Sequence, residues 1–286
     1  MHGSTRACVM SRSDPPRGRR GALLGAGMIA LLTLLALFGP RLSPYAFNTL
    51  DWRHLSAAPS LTDGHWLGTD PLGRDLYVRT LYGLRLSLLI GVLATAVSVV
   101  IGVAWGAIAG YAGGRVDAWM MRLVDVLYAL PYLFIVLILA TVFGHDSITL
   151  LLVAIGAVGW LTLARAVRAQ TLSLKRREFI EAARAAGLAP QGILLRHILP
   201  NLAGTIAVYA TLMIPQMITF ESFLSFLGLG VQEPRASLGS LIKDGASEML
   251  AAPWMLLVPA VVLVVLLLCF NLLGDGLRDA LNPTAR

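Results

Sequence analysis

Residues 86–114 have the sequence LSLLIGVLATAVSVVIGVAWGAIAGYAGG, and this run contains no Asp, Glu, Lys, Arg or His. A helix of about 20 apolar residues crosses the hydrocarbon core of a bilayer. Because a charge at the centre of a membrane helix costs roughly 2.5–3.5 kcal/mol, an uncharged run of this length predicts a transmembrane helix. The chain as a whole is 57% apolar and 14% charged, whereas soluble domains carry roughly 25% charged residues. These features predict a membrane protein.

Five further uncharged runs lie along the 286-residue chain, at residues 21–40, 126–144, 147–164, 198–220 and 249–274. We therefore predict an all-α, polytopic membrane protein with six transmembrane helices. Its predicted parts are a basic tail at 1–20, a first transmembrane helix at 21–40, an extracytoplasmic loop with an amphipathic helix at 41–85, a five-helix core at 86–274 that includes a cytoplasmic loop at 165–200, and a tail at 275–286.

The basic residues predict the orientation of the chain. With both termini in the cytoplasm, 16 of the 23 Lys and Arg residues lie on the cytoplasmic side, as the positive-inside rule requires. The formal charge of +7 is spread between apolar runs. It therefore predicts contact with membrane lipid and no nucleic-acid partner.

Small residues recur at every fourth position of the second span, which brings them to one face of a helix. This pattern allows another backbone to approach closely, either within the chain or from another subunit. The residues concerned are Ala94, Ser98, Gly102, Gly106 and Gly110.

Three residues are candidates for a translocation path or gate. Pro131 and Pro215 fall inside the third and fifth predicted spans, and proline kinks a helix. Glu221 follows the fifth span, where it is either a functional carboxylate or an interfacial one that reaches water or caps a loop. No file of acidic or histidine residues crosses the predicted spans, which argues against a proton-coupled pump.

The segment LGTDPLGRD, residues 67–75, precedes the second span. Thr69 or Asp70 is predicted to cap a helix that has Pro71 in its first turn, and Asp75 is predicted to pair with Arg79 four residues later. The two cysteines, Cys8 and Cys269, cannot build a metal cluster or a disulfide framework. We expect no metal site.

The predicted cytoplasmic loop is too long for a simple turn. Residues 175–186 are rich in helix formers, Gly187 is a suitable helix stop, and Pro190 is suited to start a second helix. Glu181 and small neighbouring side chains would let the tip of this helix–turn–helix enter a groove of a partner. Alternatively, the loop is a solvated segment whose basic residues set the topology.

Four motifs of the chain resemble a known family. Glu181-Ala182-Ala183, then Gly187, then Leu199-Pro200 resemble the cytoplasmic loop of ATP-binding-cassette importer permeases, with His197 where that motif usually has Ile. Three other segments are similar to the C-type permease subunit of oligopeptide, dipeptide and nickel importers: LGTDPLGRD, whose motif residues are Gly68, Thr69, Asp70, Gly73, Arg74 and Asp75; LSFLGLG at 224–230; and NLLGDGLRDAL at 271–281. The resemblance covers residues 21–283.

The resemblance implies a type I importer permease fold in the bacterial inner membrane. It also implies a peptide substrate, oligopeptides before dipeptides, with nickel or another small solute as the alternative and a secondary transporter as the alternative from another class. The implied partners are a B-type permease subunit, an extracytoplasmic binding protein and two ATPase subunits. From the predicted topology, the loop around Glu233, Arg235, Ser237, Lys243 and Asp244 is expected to face the binding protein. The implied ATPase-coupling residues are Glu181, Ala182, Ala183, Ala186, Gly187, Leu199 and Pro200.

The chain itself is predicted to have no catalytic residues and no bound cofactor. Its two lysines, Lys175 and Lys243, do not lie in a G-x-x-x-x-G-K-[ST] phosphate loop. ATP and Mg²⁺ are therefore expected on the partner ATPases.

Overall fold

The computed structural model describes residues 17–131, 134, 138 and 148–281. Apart from one isolated bridge between Thr69 and Asp75, the regular structure in these residues is helical. A 3₁₀ turn, Gly39–Leu42, extends the first helix, and a π-helical turn, Leu194–Ile198, precedes the seventh. The helices are α1 Arg17–Phe38, α2 Leu76–Ala112, α3 Gly114–Ala129, α4 Ile148–Leu174, α5 Glu178–Ala185, α6 Pro190–Ile193, α7 Leu199–Phe226, α8 Leu238–Ser247 and α9 Trp254–Leu281.

Four helical segments of the described residues are long and apolar enough to cross a membrane: Arg20–Leu42, Leu76–Ala112, Pro190–Phe226 and Trp254–Ala280. Helix α4, with 27 residues, contains the fourth predicted span. Most of the third predicted span lies outside the described residues. The all-α membrane fold is therefore confirmed, whereas the count of six transmembrane helices is not.

Helix α2 begins ten residues before the uncharged run that predicts it. It has 37 residues, so it is about 55 Å long at 1.5 Å per residue. Arg79 lies in its first turns and is buried, with acidic side chains beside it. The amphipathic helix predicted before the second span anticipates this extension, although its predicted start, at Thr69 or Asp70, is earlier than the observed one.

Helix α2 packs against α4 on one side and α7 on the other, while α1 packs against α9. The main apolar core includes Ile90 of α2, Ile155 of α4 and Met217 of α7, all buried. Large apolar side chains such as Leu31 of α1 and Val100 of α2 are exposed. Such side chains suit helices whose outer faces meet lipid tails.

Candidate functional site

The loop between α4 and α7 is a helix–turn–helix, as the sequence predicts. Helix α5 ends in a Schellman motif, in which the backbone N–H of Gly187 donates to the Arg184 carbonyl at 3.0 Å and that of Leu188 donates to the Ala183 carbonyl at 3.2 Å. Gly187 has φ +81°, which suits a residue without a Cβ. After this turn, α6 begins at Pro190.

The tip, residues 181–187, has an exposed face and a buried face. Glu181, Ala182, Ala186 and Gly187 are exposed. A Cβ at Gly187 would meet no atom within 4 Å, so the space beside it is open. Ala183, predicted with them, is buried and packs inward, because consecutive residues of a helix with about 3.6 residues per turn point in different directions.

The other two predicted coupling residues lie away from the tip, at the start of α7. Leu199 is half-buried and packs against the main core, while Pro200 is exposed in the first turn. The π-helical turn before them carries an N–H···O bond from Leu199 to Leu194. Such turns are frequent at functional sites.

The buried face of this loop anchors it to the membrane helices. Ile180 of α5, Ile193 of α6 and Ile198 of the π-helical turn are fully buried in the core that contains Val167 and Leu202. Three buried aliphatic side chains contribute about 1.5–3 kcal/mol each. The loop is thus packed against α4, which contains Val167, and against α7, which contains Leu202.

Charged side chains of α4, and Lys175 directly after it, contact the helices before them; Arg165, for example, donates to Asp125 of α3 at 2.8 Å. Arg168 donates to both carboxylate oxygens of Asp117 in α3, at 2.5 and 2.6 Å, and this hydrogen bonding raises the pKa of Arg168. Lys175 donates from Nζ to the Tyr111 carbonyl at the end of α2. Bidentate Arg–carboxylate pairs fix geometry, so α3 and α4 are joined close to the loop. None of these contacts was predicted from the sequence, because the partners are far apart in the chain.

The small-residue stripe of α2 packs inside the chain. A Cβ on Gly102 would lie 2.9 Å from the Trp160 carbonyl, and one on Gly110 would lie 2.8 Å from the Thr171 Cβ. Ser98 donates to the Gly156 carbonyl at 3.1 Å. All of these neighbours belong to α4. In this structure the stripe packs within the chain, which is one of the two predicted alternatives. The stripe consists of Ala94, Ser98, Gly102, Gly106 and Gly110.

Glu221 is fully buried, so the interpretation as an interfacial carboxylate that reaches water is wrong. Its oxygens accept hydrogen bonds from Ser87 of α2 and Ser225 of α7, each at 2.8 Å. Ser87 also accepts from the backbone N–H of Leu238, the first residue of α8. No basic side chain among the described residues forms an ion pair with Glu221. The Glu221 carboxylate thus joins α7 to α2 directly, and to α8 through Ser87. In the sequence, the one indication of this contact is that Ser87 lies in the apolar run 86–114.

The two candidate gate prolines differ in their surroundings. Pro215 is buried inside α7, where Thr219 donates to the Pro215 carbonyl at 2.8 Å. Pro131 is not inside a continuous helix, because α3 ends at Ala129 and Leu130 is extended with ψ 135°, as expected for a residue before proline.

The LGTDPLGRD segment forms a turn, so the predicted helix start at Thr69 or Asp70 is wrong. The N–H of Gly73 donates to the Asp70 carbonyl at 2.9 Å, with Asp, Pro and Gly at the positions that a type I turn favours. Asp75 is the actual N-cap of α2, since its side chain accepts from the N–H of Val78 at 2.9 Å.

The charges of this segment pair differently from the prediction. Asp75 bonds to His65 at 2.9 Å rather than to Arg79. Arg74 donates to Asp70 and, at 2.8 Å, to Glu233 in the loop before α8. That bond is the main cause of a lowered pKa at Glu233. Arg79 lies 3.5 Å from the same two carboxylates, so Asp70, Arg74, Arg79 and Glu233 form one charge network.

The network borders a cavity of about 310 Å³ whose walls include Asp70, Glu233 and Asp244. Burial raises the pKa of Asp244. A second cavity, of about 500 Å³, lies between α4, α7 and α9 and is lined by polar groups that include Gln170, Asn201 and Arg278. The two cavities lie towards opposite ends of the helices.

Comparison with known proteins shows the family. The profile of the binding-protein-dependent transport system inner membrane component matches residues 102–286, and that of the N-terminal TM domain of oligopeptide transport permease C matches residues 17–59. The oligopeptide transport system permease protein OppC of Escherichia coli K12 is 52% identical over 93% of this chain and 88% of that protein. The dipeptide transport system permease protein DppC of Bacillus subtilis is 43% identical over 94% and 84%.

The fold is similar to that of a chain in the inward-facing MetNI methionine ABC transporter, with a TM-score of 0.59 and 18% identity over 71% of this chain and 96% of that one. This likeness agrees with the permease fold that the motifs imply. The chain therefore belongs to the family of binding-protein-dependent transport system inner membrane components, in its oligopeptide transport permease C group.

Proposed function

We propose that this chain is a transmembrane permease subunit of an ATP-driven importer for peptides and forms half of the translocation path. Relatives named for oligopeptide and dipeptide transport, at 52% and 43% identity, support a peptide substrate. Oligopeptides are the first candidate, because the oligopeptide relative is the more similar. Because the chain belongs to a family of binding-protein-dependent transport components, the alternative that it is a secondary transporter is dropped.

The observation that carries the coupling mechanism is the two-faced tip. Its exposed face carries small side chains, the acidic Glu181 and the basic Arg184, and its other face is held in the core by Ile180. A partner that grips the exposed face would move α4 and α7 together. Such rigid-body switching between two packed states is a common way to transmit a conformational change.

The partners follow from this proposal. Two ATPase subunits, which bind ATP and Mg²⁺, hold the tips of this chain and of a B-type permease subunit, and a binding protein delivers substrate on the opposite face. Both termini are cytoplasmic, so the tip lies on the side of the ATPases. The charge network around Arg74 and Glu233 then lies on the binding-protein side.

The path itself is proposed to run along α7, with the 500 Å³ cavity at its cytoplasmic end. Polar groups such as Asn201 and Arg278 line this cavity and suit peptide groups that need hydrogen-bond partners. Pro215, inside α7, is the candidate bending point of a gate. Glu221 would hold the outer end of α7 to α2 and α8 during the movement.

The test is ATP-driven uptake by the complete transporter in proteoliposomes. Labelled peptides of two to five residues and labelled Ni²⁺ are offered in parallel with the binding protein. Uptake of the longer peptides is expected, at least tenfold above that of Ni²⁺. Uptake of Ni²⁺ alone would overturn the peptide assignment.

A matched pair of variants tests the coupling tip in the same assay. Ala186 has helical backbone angles and is exposed, so Ala186→Trp fits the chain but blocks a groove. Gln191→Trp, at an exposed position on α6, is the control. Uptake is expected to fall at least tenfold for the first variant only. Normal uptake by Ala186→Trp would contradict docking at the tip.

A further inference from the structure

Three potential metal ligands converge in the loop before α2. Asp51, His54 and His65 each place one ligand atom within 4.8 Å of the others. The Asp51 Oδ2 lies 2.8 Å from the His54 Nδ1 and 3.7 Å from the His65 Nε2. Two ligands at about 2.1 Å from a tetrahedral Zn²⁺ are about 3.4 Å apart. To meet around one such ion, the Asp51–His54 spacing would lengthen by about 0.6 Å and the Asp51–His65 spacing would shorten by about 0.3 Å.

His65 is oriented towards this cluster by a second carboxylate. Its Nδ1 lies 2.9 Å from the Asp75 Oδ2, while the Asp75 Oδ1 accepts from the backbone N–H of Val78. A carboxylate accepts, so the proton of the ring lies on Nδ1 and the Nε2 lone pair points towards Asp51 and His54. This is the carboxylate–histidine arrangement that typically orients a metal ligand.

The His65 Nε2 atom has no hydrogen-bond partner, although the side chain is only 1% exposed. Buried polar atoms without a partner are rare in folded proteins. Hydrogen bonding within the cluster does not satisfy this atom, because 3.7 Å is too long for a hydrogen bond. A metal ion between the three residues would accept the lone pair.

The surrounding residues hold the cluster in place and leave it accessible. The ring of Tyr45 stacks on His65 with centroids 4.0 Å apart, and the N–H of Arg53 donates to the Asp51 Oδ1 at 3.0 Å. The Asp51 Oδ2 is hydrogen-bonded to the His54 Nδ1, so an ion bound by both atoms would displace the proton between them. The side chains of His54 and Asp51 are 34% and 24% exposed. An ion can therefore enter from solvent without unfolding the loop.

We propose that Asp51, His54 and His65 bind a divalent transition-metal ion, Zn²⁺ in the first instance, with water in the fourth position. Two imidazoles and a carboxylate are a donor set suited to zinc. Because Asp75 supports His65 and also caps α2, the ion would fasten the loop to the start of this helix. This site was not predicted from the sequence, in which the two cysteines offer no metal cluster.

The test uses the full-length chain without a polyhistidine tag, purified in lipid nanodiscs and treated with a chelator. Zn²⁺ is titrated against a chromogenic competitor, and X-ray absorption measures the ligand distances. One equivalent is expected to bind with submicromolar affinity, at N/O distances of about 2.0–2.1 Å. His54→Gln and Asp51→Asn, both at partly exposed positions, should each weaken binding at least tenfold.

His197→Gln is the matched control, because His197 lies in the π-helical turn before α7, far from the cluster in the chain. It should bind Zn²⁺ as the unmodified chain does. Failure of the unmodified chain to bind one equivalent, or unchanged affinity in His54→Gln and Asp51→Asn, would overturn the proposal. Neither result bears on peptide uptake, so the metal site and the transport function are tested separately.

Discussion

Gly187 has an unusual backbone conformation and also belongs to the tip that is proposed to dock on the ATPase. Its φ of +81° belongs to the left-handed region, which costs a residue with a Cβ about 1–2 kcal/mol. The sequence indicated a helix stop at this position, and the structure confirms it. The space beside the residue is open. Within the chain, therefore, only the backbone conformation of the turn favours glycine here, and a side chain would not clash.

Gly187→Ala is therefore expected to destabilise the chain by about 1 kcal/mol through backbone strain. Gly187→Asn should cost less, because asparagine tolerates this conformation better than other residues with a Cβ. Unfolding of the purified chain in mixed micelles, followed by circular dichroism, measures both. Equal stability of the alanine variant and the unmodified chain would contradict the assigned turn.

Glu221 is the second residue whose surroundings make a sharp prediction. Glu221→Gln keeps an oxygen for the hydroxyls of Ser87 and Ser225, whereas Glu221→Leu leaves both without this partner. A buried polar group that loses its partner costs about 1–3 kcal/mol. We expect the leucine variant to unfold more easily than the glutamine variant by at least this amount, measured by denaturant titration in detergent. The reverse order would refute the described network.

The structural roles of Gly187 and Glu221 could be predicted from the sequence to different extents. Gly187 follows a run of helix formers and precedes Pro190, so its role is local and visible in the chain. Glu221 accepts a hydrogen bond from Ser87, which lies 134 positions away in the chain. No local sequence pattern predicts such a contact.

At the scale of elements, the seam between α2 and α4 depends on small residues. A Cβ on Gly106 would lie 2.9 Å from the Val167 Cβ and still closer to the Ala164 carbonyl. Gly106→Ala is therefore expected to separate the helices and to destabilise the chain by about 1–3 kcal/mol. Gly27→Ala in α1, where a Cβ meets nothing within 4 Å, is the matched control. SDS-induced unfolding in bicelles compares them, and equal effects would contradict the seam.

The loop before α2 and the loop before α8 are joined by the Arg74–Glu233 pair. The pKa of Glu233 is lowered, chiefly by the hydrogen bond from Arg74. Its contribution to stability is therefore fully present above the ordinary glutamate pKa of about 4.3 and is lost as the pH falls through the lower, folded-state value.

Glu233→Gln should accordingly lower the melting temperature at pH 6, and the difference from the unmodified chain should shrink as the pH falls below about 4.3. Thermal unfolding of both proteins between pH 3 and pH 6 measures the difference. The effect is expected to be small, since the Glu233 side chain is 59% exposed. A difference that grows towards pH 3 would have the wrong sign for this ion pair.

The start of α2 shows the limit of pattern-based element prediction. Asp70 followed by Pro71 matches both a helix start and a type I turn. The turn is favoured here because the Asp70 side chain accepts from the N–H groups of Leu72 and Arg74, and because Asp75 is free to cap the helix. The α5–α6 turn was predicted correctly, since Gly187 and Pro190 allow few alternatives.

For the whole molecule, composition alone predicts the environment, and the order of motifs predicts the family. Uncharged runs identify α1, α2, α7 and α9 as helices that can cross a membrane. The packing of α2 between α4 and α7 was not predictable, because apolar helices in lipid lack the polar face that would orient them. The tip, in contrast, is visible in the sequence as a basic, helix-forming interruption between two spans.

The account depends most directly on the claim that the tip meets an ATPase on the cytoplasmic side. Ala182→Cys places a thiol on the exposed face of the tip, and Thr62→Cys, at an exposed position in the loop before α2, is its control in a Cys8→Ser background. Membranes that contain the whole transporter are treated with a bismaleimide, and cells with an impermeant maleimide.

The account predicts that Ala182→Cys crosslinks to a subunit that carries a G-x-x-x-x-G-K-[ST] sequence, and that the impermeant reagent labels Thr62→Cys alone. Labelling of Ala182→Cys from outside the cell, or capture of the ATPase by Thr62→Cys instead, would contradict it.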